Sequence, residues 1–177
     1  MRPGLIRAAG TRDLAAVQAI YADYVRHSSA SFELVPPDLA EIERRYASVR
    51  EAGLPFLVAV DAEDDVLGYA YVGEYRTRPG YRYCCEHSIY LAPASRGRGL
   101  GSSLLRAIMD GAAAAGRTEM IAVVGGGLEN TASIALHQRL GFRLVGVLQR
   151  VGYKFDRWWD SALLQARLGV APDVQSP

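Results

Sequence analysis

The chain of 177 residues is almost without lysine: Lys154 stands alone, and arginine supplies the rest of the 20 basic residues. Nineteen acids oppose them, which leaves a formal net charge of +1 and no block of one sign. That balance provides no electrostatic footprint for nucleic acid. Cysteine is equally scarce. Cys84 and Cys85 are the only two and are neighbours, so they build neither a disulfide framework nor a spaced metal site, and no metal is expected. No apolar run approaches the roughly 18 residues that span a bilayer, so no membrane partner is expected. The opening MRPGLIRAAGTRDLAAV scatters charges where a signal peptide carries an apolar core. Half of the residues are hydrophobic, enough at this length to bury one core without staples. The expectation is one soluble, cytoplasmic domain over residues 1–169, with a short, frayed polar tail over 170–177.

Hydrophobic periodicity orders the elements. Residues 4–8 read as a short strand, and Leu14, Val17, Ile20, Tyr21 and Val25 recur at helical spacing up to about His27. An extended segment, SSASFELVPP, leads to Asp38, which with Glu41 has the spacing of a capping box for a second helix ending near Gly53. Residues 55–61 and 66–75 flank an acidic turn and predict a hairpin. A polar arm, RTRPGYRY, precedes a third strand, CCEHSIYL, stopped by Pro93. An amphipathic helix follows, carrying Leu100, Leu104, Leu105, Ile108 and Ala112. MIAVV over 120–124 predicts a fully buried strand, GGGLEN a loop and TASIALHQRL a helix. Two more strands are predicted, from FRLVGVLQRVGYKF and from SALLQARL. The order implies an α/β fold, with one mixed sheet and helices on both faces.

Three features can carry chemistry. Arg96, Gly97, Arg98, Gly99, Leu100 and Gly101 form a turn at a helix start, with Ser102 behind them. Glycines let a ligand approach the backbone, and the first helical amides have no intrahelical partner. With the helix dipole they make an anion site suited to phosphate, unless the turn is an ordinary one with a solvated arginine pair. No Gly-Lys-Ser/Thr is present and the glycine spacing is not that of a dinucleotide fingerprint, which excludes both of those phosphate motifs. Glu86 sits in mid-strand, where a carboxylate is disfavoured without a partner. It lies on an exposed strand face, is paired, for example with Arg82, or is a base whose pKa burial raises. Asn130, Ser133 and His137 fall at helical spacing, as a polar stripe or as a cap, a filler and a satisfied histidine.

Arg96, Gly99 and Gly101 before a helix, and Asn130 followed by Gly141 and Phe142 at that last helix's exit, resemble the GCN5-related N-acetyltransferases. These enzymes move acetyl from acetyl-CoA to an amine. The resemblance covers residues 4–168 and implies a single domain of this type, with six to seven strands in a twisted mixed sheet. It implies acetyl-CoA as cosubstrate, lying against Ile89, Tyr90, Leu91, Arg96, Gly97, Arg98, Gly99, Gly101, Ser102, Asn130 and Ser133. The Leu91 amide would polarise the thioester oxygen.

Within the superfamily, SSASFELVPP, GYAYVGEYRTRPGYRY, CEHSIYL, MIAVVGG, ASIALHQRLGF and VGYKFDRWWD are similar to the phosphinothricin and methionine sulfone/sulfoximine acetyltransferases. That likeness implies Glu86 as general base and His137 as the acid or a substrate-orienting group. It implies Arg76, Arg78 and Tyr81 as holders of the substrate's anionic groups, and Phe32 as pocket wall. Tyr75, Tyr81 and Tyr83 are further wall candidates. The acceptor would be a small amino-acid-like amine, since an aminoglycoside calls for an acidic cluster and this arm is basic. The family implies a homodimer, with VGYKFDRWWD a candidate contact. The competing readings are an acetyltransferase for a peptide or protein N-terminus and a non-catalytic acyl-CoA-sensing module on the same fold.

Overall fold

The computed structural model describes residues 4–169, and the tail expected over 170–177 lies outside the described residues. Strands β1 (Leu5–Ala8), β2 (Phe56–Val60), β3 (Val66–Glu74), β4 (Cys84–Leu91), β5 (Glu119–Gly125), β6 (Arg143–Lys154) and β7 (Arg157–Arg167) form one sheet. Helices α1 (Leu14–His27), α2 (Leu39–Glu51), α3 (Leu100–Ala114) and α4 (Thr131–Arg139) cover it. The strand order is β1-β2-β3-β4-β5-β7-β6, and β4 with β5 is the parallel pair in an otherwise antiparallel sheet. The expected mixed sheet with helices on both faces is what the chain forms.

Local chemistry accounts for the helix limits. The Asp38 carboxylate accepts the Glu41 amide at 2.8 Å and starts α2, and Gly53, at φ +66°, follows its end. Leu100, Leu104, Leu105, Ile108 and Ala112 are all buried, so the apolar stripe of α3 lies on the sheet as its spacing predicts. Alternation along β4 sorts its side chains between the two layers. Tyr90 packs edge-on against Tyr21 and Tyr24 of α1, while His87 turns to the opposite face and meets His137 of α4.

Two expectations needed correction. β7 starts at Arg157, not at Ser161, so Trp158, Trp159 and Asp160 belong to a long hairpin with β6. Its turn places Phe155 and Asp156 both near φ +55°, a mirror-image turn that ordinarily advertises itself by Asn-Gly or Asp-Gly. Here a Phe-Asp pair takes it, which hid the hairpin. β5 is also not buried on both faces: Met120, Ala122 and Val124 are enclosed, but Val123 is 43% exposed. Its neighbour β4 has already separated from it at that point, as described next.

Candidate active site

The sheet is split at its centre. The parallel ladder between β4 and β5 runs from Cys84↔Glu119 to His87↔Ala122 and stops. Beyond it β4 keeps only β3 as a neighbour and β5 keeps only β7, so a wedge opens between them. Strand edges in such a wedge have amides and carbonyls to satisfy. At Leu91 the Tyr24 hydroxyl does this, donating to the carbonyl at 3.1 Å and accepting the amide at 3.2 Å. The Leu91 amide is therefore not a free donor, contrary to the expectation for the thioester oxygen. Ala92 donates to Leu67 on the β3 side, so alternation turns the amides of Leu91 and Ile89 the other way, into the wedge. Ile89 lies beyond the last paired residue, and its amide is the one that faces the opening.

Two cavities meet in the wedge, sharing Ala30, Ile89, Asn130 and Ser133. The first, about 420 Å³, contains Glu86 and is walled by Tyr21, Phe32, Glu33 and Tyr90. Burial raises the Glu86 carboxyl pKa, and the field of Arg76 opposes that rise. Glu86 forms no ion pair among the described residues, and the Arg82 guanidinium instead stacks over Tyr83 at 4.6 Å. A half-buried carboxylate with a raised pKa and no partner is equipped to accept a proton.

The second cavity, about 590 Å³, runs along Leu91 to Arg96, Gly97, Gly99, Gly101 and Ser102. Gly97 and Gly99 adopt φ +75° and +79°, which L-residues with a Cβ rarely tolerate. This winding leads into α3 with Gly99 as N-cap, and the amides of Gly97 to Gly101 donate to no carbonyl among the described residues. Unpaired amides at the positive end of a helix dipole fit a pyrophosphate. Arg96 stands at the rim, over the Tyr24 ring at 4.7 Å and 3.5 Å from the Asp23 carboxylate. Arg98 is exposed and outside the lining.

On the far wall, the Asn130 carboxamide caps α4 by accepting the Ser133 amide at 3.3 Å and donates to the Gly125 carbonyl at 3.2 Å. His137 is buried. Its Nδ1 lies 2.7 Å from the Ser133 carbonyl, which can only accept, so Nδ1 carries the proton. Nε2 then accepts from His87 Nε2 at 3.1 Å, leaving His87 Nδ1 a bare, buried acceptor with no partner among the described residues. Burial holds both rings neutral, lowering His137 and pushing His87 down to about 3.

The wedge thus gathers Phe32, Glu86, Ile89, Tyr90, Leu91, Arg96, Gly97, Gly99, Gly101, Ser102, Asn130, Ser133 and His137. It does not gather Arg78 or Tyr81, which lie exposed on the arm between β3 and β4, and Arg76 reaches it through its field on Glu86. Tyr75 and Tyr83 are also outside the lining. Wall residues that the sequence does not single out include Tyr21, Tyr24 and Glu33. Tyr21 is legible as a core residue, but its place in the cavity wall depends on how the segment after α1 packs, through Ser31 and Glu33, against its hydroxyl.

Known proteins align with this arrangement. The acetyltransferase (GNAT) domain family matches residues 6–163. A phosphinothricin N-acetyltransferase of Alcaligenes faecalis is 45% identical over 93% of this chain and 83% of its own. An L-methionine sulfoximine/L-methionine sulfone acetyltransferase of Pseudomonas paraeruginosa is 43% identical over 92% of this chain and 94% of its own. The crystal structure of a phosphinothricin acetyltransferase from Sinorhizobium meliloti in complex with acetyl-CoA superposes with a TM-score of 0.93. It is 39% identical and covers 99% of this chain and 94% of that one. The family match over most of the chain and these identities show that the chain belongs to the GNAT acetyltransferase family.

Proposed function

We propose that the protein transfers acetyl from acetyl-CoA to the α-amino group of a small amino-acid-like substrate of the phosphinothricin, methionine sulfone or methionine sulfoximine type. One observation carries the reading: a single wedge joins the amide-lined turn at α3 to the half-buried carboxylate of Glu86, which is unpaired among the described residues. The names of the relatives at 43–45% identity support the acceptor class.

In this reading the amides of Gly97 to Gly101 hold the pyrophosphate, and the edges of β4 and the Asn130 end of α4 flank the pantetheine arm. Acetyl-CoA supplies the thioester. Glu86 takes a proton from the acceptor's ammonium, directly or through a water, a contribution of roughly 10²–10⁴-fold, so that the free amine attacks the carbonyl carbon. The C–S bond then breaks, and CoA leaves as the thiolate and takes up the second proton that the new amide nitrogen sheds. The Ile89 amide, facing the wedge, polarises the carbonyl oxygen. His137 orients rather than protonates, because its one N–H is committed to the Ser133 carbonyl inside its own helix. Neither cysteine serves as nucleophile: burial pushes the Cys85 thiol up to about 12 and raises that of Cys84. Arg76, near enough to influence Glu86, draws the acceptor's carboxylate, and Arg78 and Tyr81 extend that basic arm at the mouth.

In this reading the reaction serves detoxification of a toxic amino-acid analogue, and the need for acetyl-CoA supports a cytoplasmic setting. A homodimer is supported by the band of Leu144, Val145, Leu148, Val151, Tyr153 and Trp158, each more than 40% exposed along the edge hairpin of β6 and β7. The deciding experiment is acetyl-CoA-dependent thiol release with phosphinothricin, methionine sulfone, methionine sulfoximine, a peptide amine and an aminoglycoside. Turnover on the first three is expected. Turnover on the peptide alone, or saturable acetyl-CoA binding without turnover, would overturn the reading.

A further inference from the structure

Lys154, the only lysine in the chain, is not on the surface. It is 4% exposed at the end of β6, and no carboxylate pairs with it among the described residues. Its ammonium donates instead to two backbone carbonyls, Ser28 at 2.9 Å and Ser31 at 2.6 Å, and lies 5.0 Å from the Phe155 ring centroid. A cation buried on backbone oxygens alone is uncommon, and it is retained where those carbonyls need donors that the chain does not otherwise provide.

The carbonyls belong to the segment between α1 and α2, which has no regular secondary structure of its own over residues 28–38. Yet the segment forms a wall of the acceptor cavity through Ala30, Ser31, Phe32 and Glu33. Its position is fixed from one side by the β6–β7 hairpin and the β5 terminus. The Phe32 ring sits where a Cβ on Gly152 would be, at 2.7 Å, and the Ser29 carbonyl sits where a Cβ on Gly125 would be, at 2.2 Å. From the other side the Tyr21 hydroxyl meets Ser31 Oγ at 2.9 Å and donates to Glu33, which also accepts from Arg45 at 2.8 Å. The turn is therefore clamped, and among the described residues Lys154 is the one group whose hydrogen bonds tie its backbone to the hairpin.

The geometry points to Lys154 as a positioning residue for acceptor selection: by clipping the carbonyls of Ser28 and Ser31 it sets how far Phe32 stands from Glu86, and so which acceptor side chains fit between them. The inference rests on the acetyl-acceptor reading of the Glu86 cavity. Lys154 touches neither reactant and acts through Phe32. Long acceptors that reach the wall depend on it, and short ones do not.

The test compares the full-length protein with Lys154→Met, Lys154→Arg and Gly152→Ala, using methionine sulfone and alanine as long and short acceptors. Lys154→Met is expected to raise the KM for methionine sulfone by about tenfold or more while that for acetyl-CoA changes less than about threefold. The methionine sulfone to alanine ratio of kcat/KM falls in parallel. Lys154→Arg, which keeps a donating cation, recovers part of the KM. Gly152→Ala displaces the same ring without touching the lysine, and gives the same split if Lys154→Met does not fold. Amide hydrogen exchange over residues 28–33 is expected to rise in Lys154→Met, a readout that needs no turnover. Equal rises in both KM values, an unaltered acceptor ratio, or unchanged exchange would overturn the assignment. Wild-type protein inactive on both acceptors would instead fail the acetyl-acceptor reading, with the exchange arm still deciding the clip.

Discussion

The two halves of the wedge are built by different means. The cofactor side is made of backbone: a run of residues from Arg96 to Ser102, two glycines at positive φ and a helix start whose amides have no partners. The acceptor side is made of side chains drawn from α1, the segment after it, β4, β5, α4 and β7. A backbone site tolerates most side chains and is fixed by local conformation. A side-chain site is fixed by packing between distant segments, and each member can be changed alone. The difference teaches that single substitutions can retune the acceptor side one member at a time, while the cofactor side answers mainly to changes of backbone conformation.

The largest separation of the halves is expected from Glu86→Gln. Losing the proton acceptor should lower kcat/KM by roughly 10²–10⁴-fold, measured by thiol release, and should remove the rising limb of its pH profile. In the wild type that limb should lie above the ordinary carboxylate range, because burial raises the Glu86 pKa and the base works only once deprotonated.

From the other side, Gly99→Ala places a Cβ in a left-handed conformation that costs about 1–2 kcal/mol. Steady-state kinetics should show the KM for acetyl-CoA raised about tenfold and that for the acceptor little changed. A smaller effect is expected from the arm. Arg76→Ala should raise the acceptor KM several-fold and Arg78→Ala less, since only Arg76 influences Glu86. Equal effects of either change on acetyl-CoA would show that the arm serves both halves.

The smallest effect concerns stability. His87 and His137 are buried neutral, with folded pKa values below those of the unfolded chain. The unfolded state therefore binds more protons below about pH 6.5, and stability present at neutral pH is lost as pH falls from there toward 3. Denaturant unfolding followed across pH 4 to 7 should show a slope of up to about 1.4 kcal/mol per pH unit for each ring. His87→Phe should flatten it.

The same contrast explains what the sequence disclosed. The glycine turn, the helix stripe from Leu100 to Ala112 and the cap at Asp38 are local, so spacing and propensity read them correctly. Glu86 was visible because a carboxylate in mid-strand breaks the strand pattern. What remained hidden depends on where strands part. The ladder's end at His87↔Ala122 exposed Val123 and committed the Leu91 amide to Tyr24, and no residue type announces that divergence. Nor does Phe155-Asp156 announce a mirror-image turn, so the pattern alone predicts two strands and not the hairpin that carries Lys154 and Gly152 beside the acceptor cavity.

One paired measurement tests the central claim of separable halves: the acetyl-CoA Kd by calorimetry and the turnover of methionine sulfone, on wild type, Glu86→Gln and Gly99→Ala. The account predicts a Kd within about twofold of wild type and lost turnover for Glu86→Gln, and a weakened Kd for Gly99→Ala with turnover recovered at saturating acetyl-CoA. Full turnover by Glu86→Gln, or a Kd that fails in both variants alike, would contradict it.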